Sequence, residues 1–162
     1  MTNNTSIFVD GNNLFHSALQ AQIQIDYNKL LEVLTEGGEY TKAVFYTGSD
    51  ENAEKQRSFL HWMTRNGWRV VKKAVQTNKD NVRKANLENQ IITDMMVSVM
   101  NGAKTIILVS GDEDFVYPLS KIQDRDIRVI VAGFKNATSH RLMDVADVYI
   151  ELDQADVSKQ ES

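Results

Sequence analysis

Three aspartates stand directly after apolar runs that are typical of buried strands. Asp10 ends the run "SIFVD", while Asp112 and Asp114 come shortly after "TIILV". In an open parallel sheet the carboxyl ends of the strands meet at one edge, and ligands bind there. Carboxylates gathered without a cation repel one another, and a divalent ion relieves that repulsion. Oxygen ligands favour Mg²⁺ or Mn²⁺ over zinc or copper, and such an ion supports hydrolysis of phosphate esters.

A predicted helix between the third and fourth strands adds two further carboxylates. At 100° per residue, Leu87, Ile91 and Met95 form a stripe that faces the core. Glu88 lies within this stripe in the first turn, and Asp94 lies at its margin. Burying a lone carboxylate costs several kcal/mol unless it is paired, protonated or bound to metal. We therefore expect both side chains to join the strand-end aspartates in one metal site.

Each of these carboxylates also has a purely structural interpretation. Asp112 or Asp114 can cap the helix that follows. Glu88 can turn towards solvent or pair with Lys84, one helical turn before it. Asp94 can accept a hydrogen bond from a hydroxyl group. The predicted fold nevertheless brings them all to one edge of the sheet, which favours a shared metal site.

The elements that must position these residues alternate along the chain. Strands are predicted at 6–9, 43–46, 68–71, 105–109, 127–132 and 148–152. Helices are predicted at 14–36 with a break near 24–26, and at 50–66, 84–101, 114–124 and 139–146. This alternation predicts an α/β domain with a mainly parallel sheet. We expect one domain over residues 1–153, followed by a polar C-terminal tail at 154–162 that frays.

Composition narrows the function classes further. The chain has 162 residues and no cysteine, which suits one domain and excludes disulfides and thiolate zinc sites. The absence of cysteine agrees with a cytoplasmic location. No apolar run is long enough to span a bilayer, and the first residues lack the features of a signal peptide, so no membrane association is expected. The three histidines show no metal-ligand spacing, and no phosphate-binding glycine loop or nucleophile elbow occurs.

Four motifs in order along the chain resemble a known family. They are "FVDGNN", a helix with a lysine and two acids, "LVSGDEDF" and "SHRLMDVADVYIEL", and they extend from residue 6 to about residue 152. Together they resemble the NYN domain, a branch of the PIN-like nuclease superfamily. The resemblance implies a three-layer α/β/α sandwich with strand order 3-2-1-4-5. It also implies a pocket that binds Mg²⁺ or Mn²⁺, and hydrolysis of RNA phosphodiester bonds by metal-activated water.

The resemblance also assigns roles to individual residues. The catalytic carboxylates that it implies, which are also metal ligands, are Asp10, Asp94, Asp112 and Asp114. Glu88, a further metal ligand, stands where relatives commonly carry aspartate in a Lys-Gly-Val-Asp run, and here that run is "KANLE", one residue longer. This departure supports a second hypothesis, a non-catalytic RNA-binding or regulatory module on the same fold. A phosphatase is a third hypothesis, although the first motif lacks the second nearby aspartate of an aspartyl-phosphate enzyme.

A basic segment at 72–84 follows the third predicted strand and leads into the acidic helix. Its basic residues are Lys72, Lys73, Lys79, Arg83 and Lys84, against a single acid. Any one of these lysines can simply be solvated, but the placement of the group beside the acidic edge favours contacts with RNA phosphates. The net charge of −4 is compatible with such a local patch. Nothing resembles a reader of duplex grooves, so single-stranded or structured RNA is the expected partner.

Two neutral residues complete the expected substrate site. Asn13 and Ser110 are expected to position water or a phosphate oxygen, although Asn13 can instead cap the first helix. The oligomeric state stays open, with a homo-oligomer among the alternatives.

Overall fold

A computed structural model describes residues 4–49, 53–74, 76–77, 83–84 and 86–159, with the backbone alone at 76–77 and 83–84. The strands are β1 Thr5–Asp10, β2 Lys42–Ser49, β3 Arg69–Ala74, β4 Gln76–Thr77, β5 Arg83–Lys84, β6 Thr105–Val109, β7 Arg128–Gly133 and β8 Val148–Glu151. Six of them form one sheet in the order β3-β2-β1-β6-β7-β8, and every neighbouring pair in it is parallel. The remaining two, β4 and β5, pair antiparallel.

The predicted α/β class with a mainly parallel sheet is confirmed, and the strand order needs one correction. Leaving out the short β4–β5 pair, the order 3-2-1-4-5 describes the first five strands of the sheet. A sixth strand, β8, extends it beside β7 and corresponds to the apolar run predicted at 148–152. The β4–β5 pair was not predicted, because strands of two residues are too short to show any periodicity.

Six α-helices surround the sheet in the part of the chain that the structure describes. They are α1 Gly11–Gln20, α2 Tyr27–Thr35, α3 Glu54–Arg65, α4 Glu88–Met100, α5 Val116–Gln123 and α6 His140–Val145, with 3-10 turns at Glu113–Phe115, Lys135–Ala137 and Leu152–Gln154. The predicted break in the first helical segment separates α1 from α2. Asp26 caps α2, because its side chain accepts hydrogen bonds from the backbone N–H groups of Asn28 and Lys29 at 3.0 and 3.2 Å. Within the described residues, no helix combines the length and apolarity needed to cross a bilayer.

Both faces of the sheet are covered, and this makes three layers. Ile7 and Val9 of β1 pack into the core under α1, α2 and α3, whereas Phe8 between them packs into the core under α4, α5 and α6. All three side chains are fully buried. The near-continuous apolar strands follow from this arrangement, since a parallel sheet with helices on both faces has no solvent-facing side.

The C-terminal segment does not fray as far as residue 159. Val157 is fully buried, and its carbonyl accepts the Asp26 N–H at 2.8 Å. Ile25 and Ser158 form an antiparallel bridge, and Lys29 pairs with Asp156 at 3.2 Å. The expectation of a frayed tail is wrong over 154–159, because one apolar residue within a polar sequence anchors the segment to the α1–α2 connection.

Candidate metal centre

Three carboxylates meet at the carboxyl edge of the sheet. Glu88 is the first residue of α4, and Asp112 and Asp114 lie in the segment that follows β6. One oxygen of each side chain lies within 4.8 Å of the other two. Glu88 and Asp112 are half-buried and Asp114 is exposed, so the group is open to solvent on one side. We call these three residues the carboxylate group.

The segment after β6 is held by a short network of hydrogen bonds. The buried Ser110 hydroxyl accepts from the Asp112 N–H at 3.2 Å and donates to Asp10 Oδ2 at 3.2 Å. Asp112 Oδ1 accepts from the Asp114 N–H at 2.9 Å and so caps the 3-10 turn at Glu113–Phe115. Asp112 therefore caps the turn and also faces the other two carboxylates, and its role as a metal ligand stays a prediction.

Asp10 lies next to the carboxylate group and is linked to it through Ser110. It ends β1 and caps α1, with its Oδ1 accepting from the Asn13 N–H at 3.3 Å. Burial raises the pKa of Asp10, the hydrogen bonds from Asn13 and Ser110 oppose that rise, and the charge of Asp112 adds to it. The helix cap is thus Asp10 and not Asn13. The Asn13 side chain instead accepts the Gly111 N–H at 2.9 Å and ties α1 to the segment after β6.

Asp94 lies outside the carboxylate group. The Tyr46 hydroxyl donates to Asp94 Oδ2 at 2.7 Å, which is the hydroxyl partner considered as an alternative above. Burial raises the pKa of Tyr46, and the hydrogen bond to Asp94 raises it further, so the phenol stays a neutral donor. Asp94 follows Glu88 by six residues, about 9 Å along the helix axis, and its partner Tyr46 is the β2 residue in register with Asp10.

The basic segment contributes one contact next to the centre. Lys73 Nζ donates to the Asn86 carbonyl at 3.0 Å, and Asn86 Oδ1 accepts the Glu88 N–H at 2.9 Å. Lys73 thus supports the start of α4. Lys72 is exposed and, because side chains alternate along a strand, lies on the opposite face of β3. Lys79 and the side chains of Arg83 and Lys84 lie outside the described residues, and so does the Glu88–Lys84 ion pair considered above.

Two residues at this edge were not singled out from the sequence. Asn86 forms an Asx-type turn just before α4 by accepting the Glu88 N–H, and an asparagine two residues before a helix start is a signal that points to this role. No local sequence pattern predicts the role of the Tyr46 hydroxyl, because its partner Asp94 is 48 residues away in the chain. Beside the carboxylate group, Glu113 accepts a hydrogen bond from Ser139 at 3.3 Å and lies 3.8 Å from Arg141.

The donor set suits a divalent cation. Hydrogen bonding to Asp112, together with burial and the negative charges of Asp112 and Asp114, raises the pKa of Glu88 to about 8. Nearby carboxylates that are all ionised repel one another, and a divalent ion would offset that repulsion. Because all the donors are carboxylate oxygens, they fit Mg²⁺ or Mn²⁺.

The substitution Glu88→Gln is expected to stabilise the metal-free protein at pH 8. The raised pKa means that the contribution of Glu88 to stability is fully present below its unfolded value of 4.5 and is lost as the pH rises through about 8. Glutamine keeps the shape and the hydrogen bonding but removes the charge. Because the side chain is partly exposed, we expect a gain of only about 0.5–1 kcal/mol in the free energy of unfolding. Thermal unfolding in EDTA should show this gain at pH 8 and little difference at pH 5; an equal gain at both values would contradict it.

The family model for the NYN domain matches residues 4–153. The chain belongs to the NYN domain family. It is 26% identical to the low amplitude and bright protein LabA of Synechococcus elongatus (strain ATCC 33912 / PCC 7942 / FACHB-805) over 155 residues, which cover 91% of this chain and 82% of LabA. It is also similar to the crystal structure of VPA0982, a protein of unknown function from Vibrio parahaemolyticus RIMD 2210633. That likeness has a TM-score of 0.83 and 30% identity, and it covers 94% of each chain. The NYN domain thus accounts for nearly the whole described fold.

Proposed function

We propose that this NYN-domain protein is a metal-dependent ribonuclease that hydrolyses phosphodiester bonds in single-stranded or structured RNA. The observation that carries the proposal is the carboxylate group, with one oxygen each from Glu88, Asp112 and Asp114 within 4.8 Å of the others. Membership of the NYN family supports a nuclease rather than another metal-dependent hydrolase. RNA is the substrate class that follows from the family resemblance.

The residues at the carboxyl edge of the sheet comprise carboxylates that would hold a metal ion and a serine that orients two of the aspartates. Glu88, Asp112 and Asp114 would hold Mg²⁺ or Mn²⁺, and Asp10 contributes a fourth carboxylate from β1. When bound, the ion would stabilise negative charge on the phosphate and would lower the pKa of a bound water molecule. Ser110 orients Asp10 and Asp112 through its two hydrogen bonds at 3.2 Å.

A positive charge next to the carboxylate group favours the binding of a polyanion such as RNA. The Lys73 ammonium contacts the Asn86 carbonyl, two residues before Glu88, and so lies beside the start of α4. A cation there attracts the phosphate that precedes or follows the scissile bond and offsets the negative field of the carboxylates. Lys73 is therefore the basic residue that we assign to substrate binding among those whose side chains are described.

Metal affinity should separate Asp94 from the carboxylate group. We expect Glu88→Gln and Asp114→Asn to weaken Mn²⁺ binding by about tenfold or more, because each removes a charged ligand. Asp94→Asn is the matched control, since asparagine still accepts the Tyr46 hydroxyl, and it should change the affinity by less than about threefold. Isothermal calorimetry with Mn²⁺ and Mg²⁺ measures all four proteins. A loss in Asp94→Asn equal to that in Asp114→Asn would place Asp94 among the ligands and contradict this assignment.

The proposed function itself is tested by RNA cleavage. Labelled single-stranded and hairpin RNAs should be cut in Mn²⁺ or Mg²⁺ and should stay intact in EDTA. RNA that binds in EDTA and stays uncut when metal is restored would overturn the ribonuclease proposal in favour of a binding module. Hydrolysis of small phosphate monoesters without cleavage of RNA would overturn it in favour of a phosphatase.

A further inference from the structure

A cleft of about 730 Å³ opens on the α1–α3 face, across the sheet from the carboxylate group. Its floor is the start of α1 and the end of β2, and its walls come from α1, the α1–α2 connection and α3. Strand alternation explains why the two sites are separate. Phe45 and Thr47 of β2 point into the cleft, whereas Tyr46 between them points towards Asp94. The volume lies within the range of pockets that hold small ligands.

The deep wall of the cleft is aromatic and tightly packed. Tyr27 lies 5.5 Å from Phe45 and 5.4 Å from Phe59, measured between ring centroids, and Trp68 supports Tyr27 and Phe45 from behind at 6.0 and 6.3 Å. Burial raises the pKa of Tyr27 to about 12, so its hydroxyl stays neutral. Such a fixed wall offers ring faces and edges to a planar ligand without losing side-chain entropy when it binds.

The mouth of the cleft exposes a further aromatic ring. Phe15 of α1 is 61% exposed and lies edge-on to His16 at 5.7 Å. An apolar ring exposed at the rim of a pocket loses contact with water when a ligand covers it, and this favours binding.

Neutral amide groups lie on the floor. The Asn12 side chain accepts the Gly48 N–H at 3.3 Å, and the Gln56 side chain donates to the Gly48 carbonyl at 2.7 Å. The chain has 22 acidic residues, yet none of the described residues that line the cleft carries a carboxylate. The lining therefore does not suit a cationic ligand. An aliphatic chain can fill the cleft but cannot stack on its aromatic wall.

We infer that this cleft binds a nucleobase. A base is planar, neutral and edged with hydrogen-bond donors and acceptors, so the aromatic wall can stack on it while the amides at the floor meet its edge. In the stretch "DGNN", Asp10 and Asn13 contact the metal side, while Gly11 and Asn12 line the cleft. An RNA strand that crosses the start of α1 can thus place its phosphates by the carboxylates and one unstacked base in the cleft. The inference that the base belongs to RNA rests on the proposed function. A free nucleotide presents the same base and is the other possible ligand.

Nuclear magnetic resonance titrations in EDTA test the inference without any metal. The probes are the four ribonucleoside 5′-monophosphates, ribose 5-phosphate and decanoate. At least one nucleotide should shift the Ile23 and Leu60 methyl signals and the Gly48 amide, and ribose 5-phosphate should not. The inference is overturned if no nucleotide shifts these signals at millimolar concentration, if ribose 5-phosphate shifts them equally, or if decanoate alone does so.

Phe15→Ala supplies the variant for this titration. Loss of one stacking ring should weaken nucleotide binding by roughly 5- to 150-fold. Met100→Ala is the matched control, because Met100 is 78% exposed at the C-terminal end of α4, at the other edge of the sheet, and its affinity should stay unchanged. Equal affinity in Phe15→Ala and the wild type would overturn the assignment of Phe15 to the site.

A hexanucleotide of the preferred base distinguishes the two sources. If RNA is the source, the hexanucleotide binds more tightly than the mononucleotide in EDTA, and Phe15→Ala weakens it. If a hexanucleotide neither binds nor displaces the mononucleotide, RNA is ruled out as the source and the cleft is a free-nucleotide site. Because these measurements need neither metal nor cleavage, failure of the ribonuclease proposal shows separately, in the calorimetry and the cleavage assay.

Discussion

Asp112→Asn is expected to reduce metal-dependent RNA cleavage by roughly 10³-fold or more while leaving the fold intact. Asparagine keeps the oxygen that accepts the Asp114 N–H at 2.9 Å, so the cap of the 3-10 turn survives. The substitution removes the charge that faces Glu88. Because hydrogen bonding to Asp112 is the largest cause of the raised Glu88 pKa, that pKa should fall from about 8 towards its ordinary value of 4.5.

Three measurements check this result together. They are the rate of RNA cleavage at saturating Mn²⁺, the thermal midpoint in EDTA, and the carboxyl chemical shift of Glu88 as a function of pH. Asp124→Asn is the matched control, since Asp124 is an exposed aspartate that follows α5 and contacts only Lys121, at 3.8 Å, among the ion pairs described. It should keep wild-type cleavage. Full activity in Asp112→Asn would show that the carboxylate group is not the catalytic centre.

The positions of four carboxylates could be predicted because they depend on regular geometry. Asp10, Asp112 and Asp114 follow apolar strands, and parallel strands bring their carboxyl ends to one edge whatever the details of packing. The helical stripe that contains Ile91 placed Glu88 on the sheet side of α4 at its first turn. Neither inference needs the contacts of any particular side chain, and this is why both could be made from one sequence.

The place of Asp94 could not be predicted in the same way. Periodicity gives the face of a helix on which a residue lies, but it does not identify the residue that the side chain contacts. Asp94 meets the hydroxyl of Tyr46, a residue of β2 whose spacing in the chain bears no relation to α4. The family resemblance groups Asp94 with the other aspartates, and its role as a metal ligand stays a prediction.

The aromatic cleft could not be predicted from the sequence either. Phe15 and Phe59 are ordinary apolar positions of amphipathic helices, and Trp68 lies in the core with only 2% of its surface exposed. A cleft arises from the distance that is left between α1 and α3 above the sheet. That distance depends on tertiary packing, which includes the anchoring of the chain end by Val157, and no local pattern encodes it.

Gly111→Ala should destabilise the protein and displace the metal centre at the same time. A Cβ at Gly111 would overlap the carbonyl of Ala137. The backbone cannot shift away easily, because the Gly111 N–H donates to Asn13 at 2.9 Å and its carbonyl accepts the Ser139 N–H at 3.0 Å. We expect a loss of about 2–4 kcal/mol in the free energy of unfolding, measured by denaturant titration. Because Asp112 is the next residue, Mn²⁺ affinity should fall as well.

Gly102→Ala separates the effect of space from the effect of backbone conformation. Gly102 has a φ of +100° at the end of α4, and nothing lies within 4 Å of a Cβ built there. Alanine at this position is strained but not obstructed, so we expect a cost of about 1 kcal/mol with no change in Mn²⁺ affinity. Gly111 has no positive φ, so Gly111→Ala is destabilised by overlap with the neighbouring backbone and not by strain in its own backbone conformation. If Gly111→Ala keeps wild-type stability and wild-type Mn²⁺ affinity, the segment between β6 and α5 is not held in the close-packed position on which the proposed centre depends.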